Sequence, residues 1–138
     1  MSNAAKYFWY IIVCAGTISI WLPALISHCT ESFKLSDLHL NLTTFFLILL
    51  ISASADKGIR AFNERGSIGE FIDVCGVLIL TFILTIVSIL MWAFNGTTIG
   101  LIIAIIGFLF ALFYWWTVNR DNPNYQDNAT SALGGDKF

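Results

Sequence analysis

Side chains able to do chemistry are sparse in this chain and stand far apart. His28, Cys29 and Glu31 lie almost side by side, Asp73 sits alone at the edge of a long apolar run, and Thr81, Thr85 and Ser88 follow it at three- and four-residue spacing. The first group offers metal-ligand types, but near-adjacent side chains do not reproduce the paired spacing of zinc sites, so a solvated loop is the expected reading. No metal or cofactor is expected, and no role is assigned to His28 or Cys29. On a helix, Asp73, Val77, Thr81, Thr85, Ser88 and Trp92 share one face. Such a face could line a water-filled path between subunits. Hydroxyls can equally bond back to their own helix or join neighbouring helices, and this packing role is the expected one. An intramembrane enzyme would need a serine–histidine set, an aspartate pair or a ligand cluster within the apolar runs. None is visible in the residue order, so no catalytic residue is assigned and the chain is expected not to be an enzyme.

The elements that carry these residues follow from composition. Of 138 residues, 57% are hydrophobic and 12% charged, against about 25% charged in an average soluble domain. Mean hydropathy is +0.78. The apolar residues form long runs without the polar punctuation of a half-exposed soluble helix, so lipid is the solvent they fit. No basic block is dense enough for direct nucleic-acid binding. Three cysteines, two of them inside apolar runs, exclude a disulfide framework.

A helix needs about 20 apolar residues to cross a hydrocarbon core of about 30 Å. Tyr7 to Thr30 is charge-free and too long for a signal-peptide core, so it is expected to be a retained span. The charge-free stretch between Asp37 and Asp56 is shorter, at 18 residues. From Val74 to Asn119 no charge occurs for 46 positions, and Asn95-Gly96-Thr97-Thr98 at the midpoint divides that run into two crossings. The expected fold is therefore all-α: four transmembrane helices over about 7–27, 38–56, 70–94 and 99–119, in two antiparallel hairpins within an oligomeric bundle. A membrane domain of residues 1–119 would be followed by a polar tail, 120–138.

Local signals place the boundaries. Ser67-Ile68-Gly69-Glu70 has the form of a capping box for the third helix, Gly58 is expected to cap the second, and Pro123 closes the last. Pro23 is expected to kink the first span. Tyr7, Trp9 and Tyr10 with Tyr114, Trp115 and Trp116 form one interfacial belt, and Trp92 with Phe94 marks the opposite face. Asp73 is expected to pair with a loop cation such as Arg60 or Arg65. Gly100, Gly107 and Ala15-Gly16 read as close-packing points. Six of the seven cations, Lys6, Lys57, Arg60, Arg65, Arg120 and Lys137, fall on one side, with Lys34 opposite. The positive-inside rule then puts both termini in the cytoplasm, with a bacterial inner membrane the expected location.

The segment from Lys57 to Arg65 mixes cations with Ile59 and Phe62, and could lie on an anionic leaflet or receive a partner. The tail beyond Arg120 is too polar to bury a core of its own. Partner-binding residues are expected at Lys57, Arg60, Phe62, Arg65, Tyr125 and Phe138, with a cytoplasmic protein, the bilayer and further copies of the chain as partners. In size, span number and the polar tail after Arg120, the layout resembles the four-span membrane subunit of the bacterial anti-phage Kiwa system. That resemblance implies an oligomeric membrane sensor and anchor that holds a soluble effector. An oligomeric pore lined by the Thr81 face, and a small transporter, are the alternative readings.

Overall fold

The computed structural model describes residues 3–30, 34–63, 68–95, 97–120 and 122, and these are helical almost throughout, with no strand among them. In chain order they form α1 (Asn3–Tyr7), a π-helical stretch (Phe8–Gly16), α2 (Ile18–Cys29), α3 (Leu35–Asn63), α4 (Ile68–Asn95) and α5 (Thr97–Asn119). Four helical stretches are long and apolar enough to cross a membrane: Ala4–Cys29, Leu35–Phe62, Ile68–Phe94 and Thr98–Asn119. Large apolar side chains such as Ile83, Ile86, Leu109 and Phe113 stand exposed on the outside. A water-soluble monomer rarely leaves so much apolar surface uncovered, whereas hydrocarbon solvates it without cost.

Packing centres on α3 and α5. Phe46 and Leu50 of α3 are fully buried, beside Ala104, Ala111 and Trp115 of α5. The fit depends on missing side chains. A Cβ on Gly107 would come within 2.9 Å of the Phe46 ring, and one on Gly100 would meet the Trp92 backbone at the same distance. Small residues of this kind let helix backbones approach in lipid, where dispersion contacts supply the attraction that expelled water supplies elsewhere.

The first crossing is attached more loosely. Only 6% of its most apolar window is buried, against 44% for α3. It touches the rest near Gly16, 3.1 Å from the Phe45 ring by the same Cβ measure, and at its start, where Tyr7 and Phe8 stack on Trp115. The helix is interrupted before Pro23: the π-helical stretch ends at Gly16, and the Thr17 hydroxyl donates to the carbonyl of Val13. A distorted turn upstream of the proline agrees with its missing N–H, although Pro23 itself stays inside α2.

One boundary differs from expectation. The second crossing does not stop at Gly58, because α3 runs through it to Asn63. Asp56 and Arg60, four apart, help to carry the winding across: Arg60 Nε donates to the Asp56 carbonyl at 3.4 Å, and Arg60 Nη2 to the Val118 carbonyl of α5 at 2.6 Å. A single helical glycine costs only about 1 kcal/mol, which such contacts offset. The third crossing begins at Ile68, so Ser67 and its proposed cap lie outside the described residues. At 1.5 Å per residue, α3 with 29 residues and α4 with 28 reach about 43 and 42 Å, longer than a hydrocarbon core of about 30 Å.

Candidate functional site

Polar side chains gather at two places, one near the start of α3 and one near its end. At the first, His39 of α3 and Ser88 of α4 meet across 49 residues of sequence, with His39 Nε2 and Ser88 Oγ 2.9 Å apart. Ser88 Oγ also lies 3.5 Å from the Thr43 hydroxyl and donates to the Gly100 carbonyl of α5 at 3.2 Å. The His39 ring stacks on Trp92, with centroids 4.3 Å apart and planes 12° from parallel. One serine thus ties three helices together. The residue order gave no sign of a serine–histidine pair, and here it must be corrected: the fold supplies one.

A hydroxyl within hydrogen-bond reach of an imidazole is the geometry by which a serine nucleophile is activated. Attack also requires access. Ser88 is 0% exposed and His39 4%, so as packed the pair offers no surface to a substrate, and its evident work is to satisfy polar groups that lipid would leave unpaired.

The hydroxyl face of α4 points the same way. Thr81 is fully buried and donates to the Val77 carbonyl at 2.7 Å, and Thr85 donates to the Thr81 carbonyl at 2.8 Å. Asp73, at the other end of that face, is exposed. It pairs with Lys57 at 3.4 Å rather than with Arg60, whose guanidinium is held on α5, while Arg65 lies outside the described residues. The pair joins the end of α3 to the beginning of α4. With side chains 29% and 67% exposed it is worth little in stability, but it marks where charge begins at the edge of the apolar region.

At this second place a cleft of about 350 Å³ opens between α3, α4 and α5, lined by Lys57, Arg60, Glu70, Tyr114, Thr117 and Val118. The Tyr114 hydroxyl is buried with no hydrogen-bond partner among the described residues, a state shared only with Ser54 Oγ. Beyond the Lys57–Asp73 pair the ends of α3 and α4 carry bare apolar groups: Phe62 is 88% exposed and Ile68 81%, with Ile59, Phe71 and Ile72 also open. Below them, Asn119 is buried, its side-chain nitrogen donating to the Trp115 carbonyl and its oxygen accepting from Asn122, a C-terminal cap that the residue order did not disclose.

Of the other expected sites, His28 lies on a shallow apolar groove with Trp21, Leu25 and Leu38, and Cys29 is exposed, while Glu31 is outside the described residues. No group of three or more metal-ligating side chains occurs among the described residues. Tyr125 and Phe138 also fall outside them, with the rest of the tail beyond Asn122. Compared with protein-family models, curated proteins and solved structures, the chain finds no match in any of the three.

Proposed function

We propose that this chain is a non-enzymatic membrane subunit whose crossings form two antiparallel hairpins, self-associate in the bilayer and hold a protein partner at the Lys57 end. The observation that carries this reading is the pair of projecting helix ends. Phe62 lies five residues past Lys57 and Ile68 five before Asp73, which puts each about 7.5 Å beyond the ion pair. On this reading they reach the headgroup and water region at the ends of their spans, and they are among the most exposed large apolar side chains of the described residues. Exposed apolar groups rimmed by cations suit an interface better than bare contact with water. The positive-inside rule assigns this end, and with it both termini, to the cytoplasm.

The test combines two changes in the full chain, Phe62→Glu with Ile68→Glu, and separately a deletion of residues 121–138, each purified in mild detergent. We expect insertion and helicity to persist while the mass of the purified assembly falls by one partner chain. An assembly of the same mass before and after both changes defeats the anchoring reading. Its proposed setting, from the layout alone, is phage defence in a bacterial inner membrane, and loss of plaque protection on removing the chain from its host is the check.

A pore reading is less favoured because Thr81 and Ser88 are spent inside a single copy, leaving that face little to offer a path between subunits.

A further inference from the structure

One outward face of α3 carries polar atoms that nothing in this chain uses. Elsewhere in the spans hydroxyls are spent on carbonyls: Thr81, Thr85 and Ser88 of α4 donate to them, as do Ser19 and Ser27 of the first crossing. The Asn41 carboxamide and the hydroxyls of Thr44 and Ser52, by contrast, make no hydrogen bond among the described residues. All three line one slot of about 520 Å³ between α3 and the first crossing, with Gly16 and Ser19 in its opposite wall. Asn41 lies one helical turn inside Asp37 and Ser52 one turn short of Asp56, the two charges that bound this run. Hydrocarbon offers such groups no partner, whereas a neighbouring helix does.

The spacing on this face is that of a helix that packs on another helix. Asn41, Ile48 and Ala55 recur every seven residues, and Thr44 and Ile51 occupy the second apolar position of the same repeat. Thr44, Ile48, Ile51 and Ala55 are exposed and Asn41 is half-buried, so this seam points away from the core of its own copy. The outward faces of α4 and α5 present Ile83, Ile86, Leu109 and Phe113, which lipid solvates without further help.

Membrane geometry says what can cover the seam. The charge bias gives every copy one orientation, so two α3 helices in contact run parallel, and about an axis along the membrane normal each residue meets its own counterpart. A face that meets itself must lack charge, and its polar groups must both donate and accept. Between Asp37 and Asp56 no charge occurs, and a carboxamide or a hydroxyl is donor and acceptor at once. We propose that a second copy of this chain seats its α3 against this face in register, with the two Asn41 carboxamides bonded to each other. Thr44, Ile48, Ile51 and Ala55 form the seam below them. A single asparagine in a parallel seam fixes register, because a slip leaves both amides unpaired. Small side chains at Thr44 and Ala55 let the two backbones approach. This pairing rests on the self-association proposed above and gives it a surface.

The experiment uses the full chain in host membranes, with Cys14, Cys29 and Cys75 replaced by alanine and one cysteine then added: Ile48→Cys or Ala55→Cys on the seam, Leu109→Cys as the outward control on α5. Under copper phenanthroline the seam variants should form disulfide-linked pairs about tenfold faster than the control, because only they bring two Cα atoms within bridging distance. Asn41→Leu should raise the dissociation constant of the pair about fivefold, read by energy transfer between labelled copies as added lipid dilutes them. Asn41→Gln should recover part of that loss. The SDS-unfolding midpoint of the separated chain should stay where it is in Asn41→Leu, since the amide bonds to nothing in its own copy; a purely structural role would move it.

Cross-linking at Leu109 with none at Ile48 or Ala55 would leave self-association standing and overturn this face. A monomer in every variant would overturn both. A product at Ile48→Cys that contains a different chain, by mass spectrometry, overturns the second copy as the occupant, and an unchanged dissociation constant in Asn41→Leu overturns the amide pair.

Discussion

The two ends of the bundle handle polarity in opposite ways. Near the start of α3, His39, Thr43 and Ser88 are all under 5% exposed and use one another and the Gly100 carbonyl as partners. Near its end, Lys57 and Asp73 are open to the surroundings and only loosely joined, and a cleft rather than a packed seam lies between the helices. The first arrangement fixes helices to one another. The second leaves donors and charges available to something else. A polar group at the membrane edge can borrow water or headgroups as partners, while one enclosed by helices cannot, and this difference sets how costly a substitution at each end should be.

The contrast breaks most sharply at Gly100. A methyl group there would press on the Trp92 backbone, which cannot swing aside as a flexible side chain can, and would disturb the carbonyl that Ser88 uses. Gly100→Ala should destabilise the bundle by about 2 to 3 kcal/mol, despite the better helix propensity of alanine. Steric cause and propensity separate in the control Gly76→Ala, because nothing lies within 4 Å of a Cβ at Gly76; that variant should be neutral or slightly stabilised. Equal losses at both positions, measured by SDS-titrated unfolding in bicelles, would mean that the close approach at Gly100 has been misread.

Ser88→Ala should come next, at about 1 to 2 kcal/mol, since it leaves His39 and Thr43 enclosed without their shared partner. A cycle that adds His39→Phe, keeping a ring against Trp92, isolates the hydroxyl–imidazole contact, and a coupling energy near zero would remove it from the account. Lys57→Ala should cost least, under about 0.5 kcal/mol in the same assay, because its partner Asp73 is mostly solvated. A larger loss there would erase the distinction between the two ends.

Sequence reading found the helices because hydrocarbon imposes a strict rule: roughly 20 residues without charge, and turn formers between runs. The break at Asn95 and Gly96 is legible for this reason, with α4 ending at Asn95 and α5 beginning at Thr97. Gly58 misled because the rule stops applying at the membrane edge, where a helix continues on ordinary capping and side-chain contacts. The pairing of His39 with Ser88 was not legible at all. His39 stands among polar residues at the start of its run and Ser88 on the hydroxyl face with Thr81 and Thr85, and only the crossing of α3 with α4 brings them together. A usable signal did exist, since polar residues in neighbouring spans each need a partner. It names no specific match. The cleft was half visible: Lys57 and Arg60 stood out by charge, but Tyr114 was read as belt, and its unpaired hydroxyl emerges only from packing.

The stacking of Tyr7 and Phe8 on Trp115 has a consequence for the order in which this protein can be made. Tyr7 leaves the ribosome before the other three crossings exist, and Trp115 only when nearly all of the last one has been synthesised. The first crossing must therefore wait in the bilayer, held along its length by Gly16 against Phe45 and by Ile20 in the core, until the final helix arrives to anchor its leading end. Throughout that interval its aromatic rings are open to whichever neighbour reaches them first, so assembly with a second chain, if it competes for Trp115, has a window that closes when synthesis ends.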